Sequence, residues 1–516
     1  MLRNGAILSF IILMSVSYLL LAPMASIDPF HTGEYFVKAV NIEHGLNSFT
    51  IHGMVDYLPA LITKYVFGQN YITPTIFTIR FISLFSSFML TLICYQLLRK
   101  HPSKIYILLM IFTLSLAIIS HRDLFILMSI YFFIKIVYSH SNSQLISNFH
   151  HIFFSFTMAL ALFWTFDRGI SAIVAIGPAY LYYIIQSKQY NLMKSIYAFL
   201  FFILLLNFTF DASSIEHYVN NVLSLVKSSN QWQYGNYFMP NALIFFATCL
   251  LVFTILNLAK SIQLNKNHRD RAFLILLLIL SLFIFKSSIN RADVGHVMIN
   301  VLPIMLLISF RLGKDEKITF IPLFCNQKYS SLLFFCFLVI YTLGFAPKSL
   351  SIILLSLLLI FITVEKYKSI FNKMVVVILI VLCVYQLRTS LMYVTRYSTD
   401  RLVSEGNNWV SEILIKNNTK CIFDLTNNGI INALSNLPTC TLYGYPIYAP
   451  YEDEHLLLQQ LIANQPNTLI YSSSFWSYSI DGKSMSVRYP AIDDFIKENY
   501  EYFICKFDYC IMSSVK

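Results

Sequence analysis

Apolar runs of nearly membrane-crossing length recur along the first three quarters of the chain, more than one soluble core could absorb. They fall at about 5–22, 71–98, 105–120, 124–138, 151–166, 170–187, 195–210, 240–259, 272–285, 297–310, 329–345, 349–364 and 374–388. A spanning helix needs roughly 20 residues, so the sequence predicts an all-α domain of about 13 transmembrane helices, several of them short. Composition agrees. Charged residues make up 12% and hydrophobic residues 57%, against roughly 25% charged in a soluble domain, and mean hydropathy is +0.63. The first run, after Arg3, has the look of a signal peptide, with small residues at Ala22 and Ala25. It lacks a good A-x-A cleavage site and many spans follow, so it reads as a retained helix.

Charge placement orients the spans. Alternate connections carry Arg99, Lys100 and Lys104; Lys188 and Lys194; Lys260, Lys266, Arg269 and Arg271; Arg311, Lys314 and Lys317; Lys366, Lys368 and Lys373. The positive-inside rule makes these cytoplasmic and puts the N-terminus there too. The net charge of +11 is then answered by lipid headgroups of the bilayer, and no nucleic acid is expected. No Walker motif, glycine-rich dinucleotide fingerprint or CxxC pair occurs, which removes support for ATP-driven transport and for a thiol-ligated zinc site.

The opposite connections hold every polar constellation. The first, at 23–70, contains Asp28, His31, Glu34, His44, His52 and Asp56. The others contain His121-Arg122-Asp123, Asp167-Arg168-Gly169, the stretch 211–241 with Trp232, Tyr234 and Tyr237, and Arg291-Ala-Asp293-Val-Gly-His296. An odd number of spans also puts the tail outside. From about 389 the composition changes to short apolar runs, CIFDL, TLIYSSS and YFICKFDYCIM, between turn-rich loops, with short helices at 454–463 and 492–499. This pattern predicts a small α/β domain over 389–516, following the multispan domain of 1–388. Four of the nine cysteines lie there. In an oxidising compartment Cys421 with Cys440, or Cys505 with Cys510, are the sequence-local disulfide options.

A carboxylate held at a membrane interface can take the proton of an acceptor hydroxyl. Arginine suits a phosphate, because its planar fork makes two contacts at once. Asp28 and Glu34 are the candidate bases; His31, His52, Asp56, Arg122, Arg168, Arg291, Asp293 and His296 are the candidate binding residues. Other roles fit the same residues. Asp28 and Glu34 also suit the cap of an interfacial helix beginning near Gly33. His31, His44 and His52 with Asp28 carry zinc-ligand chemistry at spacings of 13 and 8 that match no compact pattern. His121-Arg122-Asp123 also fits a structural turn between two helices. No cofactor is demanded, although two carboxylates leave room for a divalent cation.

The blocks D-P-F-H-x-G-E at 28–34, H-G-x-x-D-Y-L-P at 52–59, D-R-G at 167–169 and R-A-D-V-G-H at 291–296 resemble those of bacterial multispan proteins related to the C-type (GT-C) glycosyltransferase superfamily. Asp424-Leu-Thr-Asn-Asn-Gly429, Phe475-Trp476 and Ile480-Asp481-Gly482 in the tail are similar to the same group. The resemblance implies a GT-C-like fold and transfer of a sugar from a polyprenyl-phosphate donor to a cell-surface glycan or lipid-linked acceptor. It also implies a base at Asp28, with Glu34 second, and donor-phosphate contacts at Arg291 and His296. His31 and Gly33 separate the two carboxylates, whereas many members of the superfamily have an adjacent acidic pair, so both candidates stand. The expected location is a bacterial cytoplasmic membrane with the C-terminal domain in the periplasm. A transporter or flippase for lipid-linked glycans would instead place charges in mid-helix; here they cluster at helix ends, with Lys135 the exception. A non-catalytic assembly protein is the third reading.

Overall fold

The computed structural model describes residues 2–20, 29–99, 101, 104–138, 144–188, 194–209, 214–228, 231, 242–290, 301–314, 404–471, 485–507 and 509–515. Helices α1 (Leu2–Leu20), α4 (Ile72–Leu97), α5 (Lys104–Ile118), α6 (Leu124–Tyr138), α7 (Gln144–Trp164), α8 (Phe166–Ser187), α9 (Lys194–Thr209), α11 (Ala242–Leu264), α12 (His268–Asn290) and the helix Val301–Gly313 coincide with the apolar runs up to 310, while α10 (Ser214–Ser228) lies in the outer stretch 211–241. The runs at 329–345, 349–364 and 374–388 lie outside the described residues. By length and apolarity, two described helices suffice to cross a membrane, Ile72–Leu97 and Phe166–Ser187; Ile7–Leu19, Lys194–Leu205 and Leu302–Gly313 are shorter apolar helices. The expected count of about thirteen spans is therefore not reached among the described residues.

The bundle core is built where α4, α6, α7, α8 and α12 pack together. Leu90, Ile93, Leu127, Phe133, Phe273 and Leu276 are fully buried there. On α8, Ala172, Ala175 and Ala179 form a buried small-residue stripe, the composition that lets helix backbones approach closely in lipid. The two ends of α6 and α8 differ in chemistry. At their C-terminal ends Tyr138 donates to Asp270 Oδ1 at 2.9 Å and Lys314 to Asp270 Oδ2 at 2.9 Å, while Arg271 reaches the Tyr182 hydroxyl at 3.4 Å. These residues belong to the connections read as cytoplasmic. At their N-terminal ends lie His121–Asp123 and Asp167–Arg168, from the connections read as outer. Lys135 lies near the C-terminal end of α6, its ammonium 5.3 Å from the Tyr131 ring centre.

The first outer connection folds as α2 (Pro29–Glu43), the turn Met54–Asp56 and α3 (Leu58–Phe67). Helix α2 begins at Pro29 rather than near Gly33, because proline's fixed φ suits the first helical position and its missing N–H costs nothing there. After residue 404 a four-stranded sheet has the order β1-β2-β4-β3, with β1 Phe423–Asp424, β2 Thr468–Tyr471, β3 Tyr500–Lys506 and β4 Tyr509–Ser514. β1 and β2 are parallel and the other pairs antiparallel. The run YFICKFDYCIM folds into the β3–β4 hairpin. Helices Glu454–Asn464 and Pro490–Asn499 stand where short helices were expected. Both sequence-local disulfides form, Cys421–Cys440 and Cys505–Cys510.

The opening stretch belongs to both cores. Val37 and Phe49 pack with Phe423, Tyr443, Tyr445 and Tyr489 of the C-terminal domain. Phe36 and Ala39 pack with Tyr71 and Ile76 of the bundle and with Ile430. Helix α2 crosses the helix Gly429–Ser435 at a glycine pair, where a Cβ on Gly33 would lie 2.5 Å from Gly429 N. No side chain fits between those backbones.

Candidate active site

Covered on two sides, α2 keeps a polar stripe at i, i+4 and i+7: Glu34, Lys38 and Asn41, all buried. Of these, Glu34 and Lys38 line an open cavity with Asp56, Phe49, Thr50, Ile51, Val37, Gly444, Tyr445 and Tyr448. Three separate stretches build it: α2, the loop that follows, and residues 444–448 of the C-terminal domain.

The H-G-x-x-D block is a local device. Gly53 has φ 120° and sits so close to Phe163 O that a Cβ would lie 2.6 Å away, so only glycine can make this turn. The turn brings Asp56 back under His52. Asp56 Oδ2 accepts the His52 backbone N–H at 2.8 Å, and Asp56 Oδ1 lies 2.9 Å from His52 Nδ1. His52 O in turn accepts the Phe166 N–H at 2.7 Å, tying the turn to α8.

Glu34 completes the group. Its Oε2 lies 4.0 Å from His52 Nδ1, and its Oε1 accepts a hydrogen bond from the Tyr448 hydroxyl. Oε2 is buried with no hydrogen-bond partner among the described residues. Burial raises the Glu34 pKa above the ordinary carboxylate value; His52 pulls it down and Asp56 pushes it up. Glu34, His52 and Asp56 could hold a metal ion, since each offers one ligand atom and these lie within 4.8 Å of one another. The unpartnered Oε2 fits that use, because a buried carboxylate oxygen calls for a cation, a proton or a donor.

Two arginines flank the group. Ser120 caps the turn His121–Asp123, its backbone N–H and hydroxyl each reaching Asp123 Oδ2 at 2.9 Å. Arg122 is partly buried beside the carboxylates. Burial opposes its charge, yet the facing Tyr35, Glu34, Asp56 and Asp167 raise its pKa. Arg168 lies 3.0 Å from Asp123 Oδ1 and 3.6 Å from Asp167 Oδ2. A second cavity has Asp123, Asp167, Arg168 and Ser171 at its polar side and Ile126, Leu280, Phe283, Ile284 and Leu302 as its apolar wall. The turn reading of His121-Arg122-Asp123 holds as well. His121 Nε2 is 3.0 Å from the Tyr35 hydroxyl, its carbonyl accepts from Trp164 Nε1 at 2.9 Å, and burial lowers its pKa.

Of the residues expected at a site, the structure thus joins Glu34, His52, Asp56 and Arg122, with Arg168 adjoining through Asp123. His31 is exposed on α2 and acts electrostatically on Glu34. His44 instead meets Asn436 O at 2.9 Å, so it bonds the C-terminal domain and is absent from the metal-capable group. Asp28, Arg291, Asp293 and His296 lie outside the described residues, as do Trp232, Tyr234, Tyr237, Phe475-Trp476 and Ile480-Asp481-Gly482.

Sequence reading missed Lys38 and Tyr448. Lys38 Nζ donates to Asn47 Oδ1 at 2.8 Å and to Ser48 O, with His217 Nε2 at 3.5 Å. Burial lowers its pKa to about 7, with Asp56 acting the other way. A lysine one turn after Glu34, in a helix predicted to be interfacial, was the available signal. For Tyr448 it was the run Tyr443-Gly-Tyr-Pro-Ile-Tyr448, dense in aromatic and turn residues. The tail block 424–429 is structural: Asp424 accepts from Thr426 N, Thr426 Oγ1 and Asn428 N at 2.6–2.7 Å, and Asn428 caps the helix that meets Gly33.

Neither a protein-family model nor a curated protein sequence matches the chain. Solved structures do. ArnT from Cupriavidus metallidurans bound to undecaprenyl phosphate aligns with a TM-score of 0.55 and 10% identity, over 99% of this chain and 98% of that one. The same protein in the apo state aligns with a TM-score of 0.51 and 11% identity, over 100% and 99%. The fold is shared with ArnT over nearly the whole of both chains.

Proposed function

We propose that this protein is an inverting membrane glycosyltransferase that moves a sugar from a polyprenyl-phosphate donor to a cell-surface glycan or lipid-linked acceptor. The observation that carries the reading is Glu34. It is a buried carboxylate with one oxygen fixed by Tyr448 and the other without a hydrogen-bond partner among the described residues, at the wall of a cavity and near Arg122. A carboxyl group whose pKa is raised by burial is better matched to general-base work near neutral pH than an exposed one. Glu34 takes the proton of an acceptor hydroxyl, that oxygen attacks the anomeric carbon from the face opposite the phosphate, and the polyprenyl phosphate leaves with the bonding electrons.

The neighbouring cavity has the chemistry to suit the leaving group. Arg168 offers charge to the phosphate and the apolar wall of Leu280, Phe283, Ile284 and Leu302 suits an isoprenoid. ArnT, which shares the fold, has been crystallised with undecaprenyl phosphate, and a related lipid carrier is the donor class inferred here. No cofactor enters the reaction as written; a divalent cation would be held by Glu34, His52 and Asp56. The polar ends of α6 and α8 support a chemistry face on the outer side of a bacterial cytoplasmic membrane, with the C-terminal domain in the periplasm.

Purified protein assayed with polyprenyl-phosphate hexose and envelope glycan acceptors tests this. Glu34→Gln and Asp28→Asn should leave protein level intact, with transfer abolished in the variant that removes the base. Near-normal transfer in both variants rules out Glu34 and Asp28 as the base. Absence of transfer by the wild type with every donor, together with movement of lipid-linked glycan across vesicles, would favour a flippase.

A further inference from the structure

We infer that Tyr448 is a positioning residue for the base, contributed by the C-terminal domain, so that the site is incomplete without that domain. The inference rests on Glu34 being the base. Tyr448 is separated from Glu34 by 414 positions, is 5% exposed, and directs its hydroxyl onto Glu34 Oε1. That bond engages one carboxylate oxygen and turns the other, Oε2, toward His52 and Asp56. Glu34 is thereby held in one orientation at the cavity wall.

The donor is itself held. Tyr448 ends the short helical turn Pro446–Tyr448. The Tyr489 hydroxyl donates to Pro446 O at 3.1 Å and also to Ala449 O, and Arg488 reaches Ala449 O at 3.3 Å. The Tyr445 ring packs beside Tyr448, centroids 5.6 Å apart. Its hydroxyl accepts the Gly429 N–H at 3.0 Å, at the glycine crossing with α2. The turn is thus fixed to its own domain and to the helix that carries Glu34.

Tyr448→Phe keeps the ring and removes the donor. Its kcat should fall about tenfold with KM little changed, because substrates still bind while the base is no longer aimed. A merely structural tyrosine would lower the yield of folded protein without that split. Difluorotyrosine at 448 keeps the shape and the donor, so kcat should stay near wild type; a loss of about tenfold with the donor kept would overturn the role, and this arm serves if the phenylalanine variant fails to fold. Glu34→Gln in the same assay separates the two claims. If it stays active, the assignment of the base fails and the inference falls with it. If it is inactive while Tyr448→Phe keeps wild-type kcat, the positioning role alone is overturned.

Discussion

Asn41 and Thr439, 398 positions apart, exchange two hydrogen bonds: Asn41 Nδ2 donates to Thr439 Oγ1 at 2.9 Å, and the Thr439 backbone N–H donates to Asn41 Oδ1 at 2.8 Å. Both residues are buried. The pair fastens the last turn of α2 to the C-terminal domain beside Cys440. Asn41→Ala leaves the Thr439 N–H buried without its acceptor, which costs about 1–3 kcal/mol. Thermal unfolding in detergent should show a lower midpoint than wild type; an unchanged midpoint would mean that the two parts are held elsewhere.

The glycine crossing makes a sharper prediction. Gly429→Ala puts a methyl group against Gly33 O and the Val37 side chain. Overpacking of that kind costs about 1–3 kcal/mol, and relief by separation pulls the C-terminal domain away from α2. Transfer activity should fall with stability. Gly177, in α8, has nothing within 4 Å of its would-be Cβ. Gly177→Ala should be neutral or slightly stabilising, since alanine is the better helix former by about 1 kcal/mol.

Lys38 gives a pH signature. Its pKa is about 7 in the folded chain against 10.5 for an ordinary lysine. Below about pH 7 it is charged in both states and the full cost of burying that charge is present. Between about 7 and 10.5 the unfolded chain binds the extra proton, so this group makes stability rise with pH across that window. Lys38→Met should flatten the rise. Denaturant midpoints at pH 6.5, 8 and 9.5 for the two proteins measure it, and parallel curves would count against a buried, depressed lysine.

The two disulfides should differ in weight. Cys421–Cys440 spans 19 positions and Cys505–Cys510 spans 5. In the loop-closure description they contribute about 3 and about 2 kcal/mol. Only the first adjoins Thr439 and the segment leading to Tyr448. Replacing Cys421 and Cys440 together by serine should lower both stability and transfer. Replacing Cys505 and Cys510 should lower stability less and spare transfer, which unfolding curves and the transfer assay report in parallel.

Much of this organisation was legible in the chain. The apolar runs up to 310 fall on helices, the tail forms the expected α/β unit, and both local cysteine pairs close. The Glu34 neighbourhood was legible in part: His52 and Asp56 lie four residues apart and their contact is local. The position where α2 begins was misread, because Gly33 looks like a helix boundary until the close approach of Gly429 shows why a glycine stands there. Lys38 and Tyr448 were missed, because nothing in a helix pattern tells which polar residue a distant domain will cover.

The sequence by itself determined where polar chemistry could gather, since hydrocarbon tolerates few charged groups and leaves them the helix ends. Only the tertiary structure decided that Glu34 would be enclosed with one oxygen bound by Tyr448 and the other facing His52. Burial and proton affinity there are set by Tyr448, Arg122, His52 and Asp56 together. Two of those four lie close to Glu34 in the chain, while the other two reach it only when the bundle and the C-terminal domain close around α2.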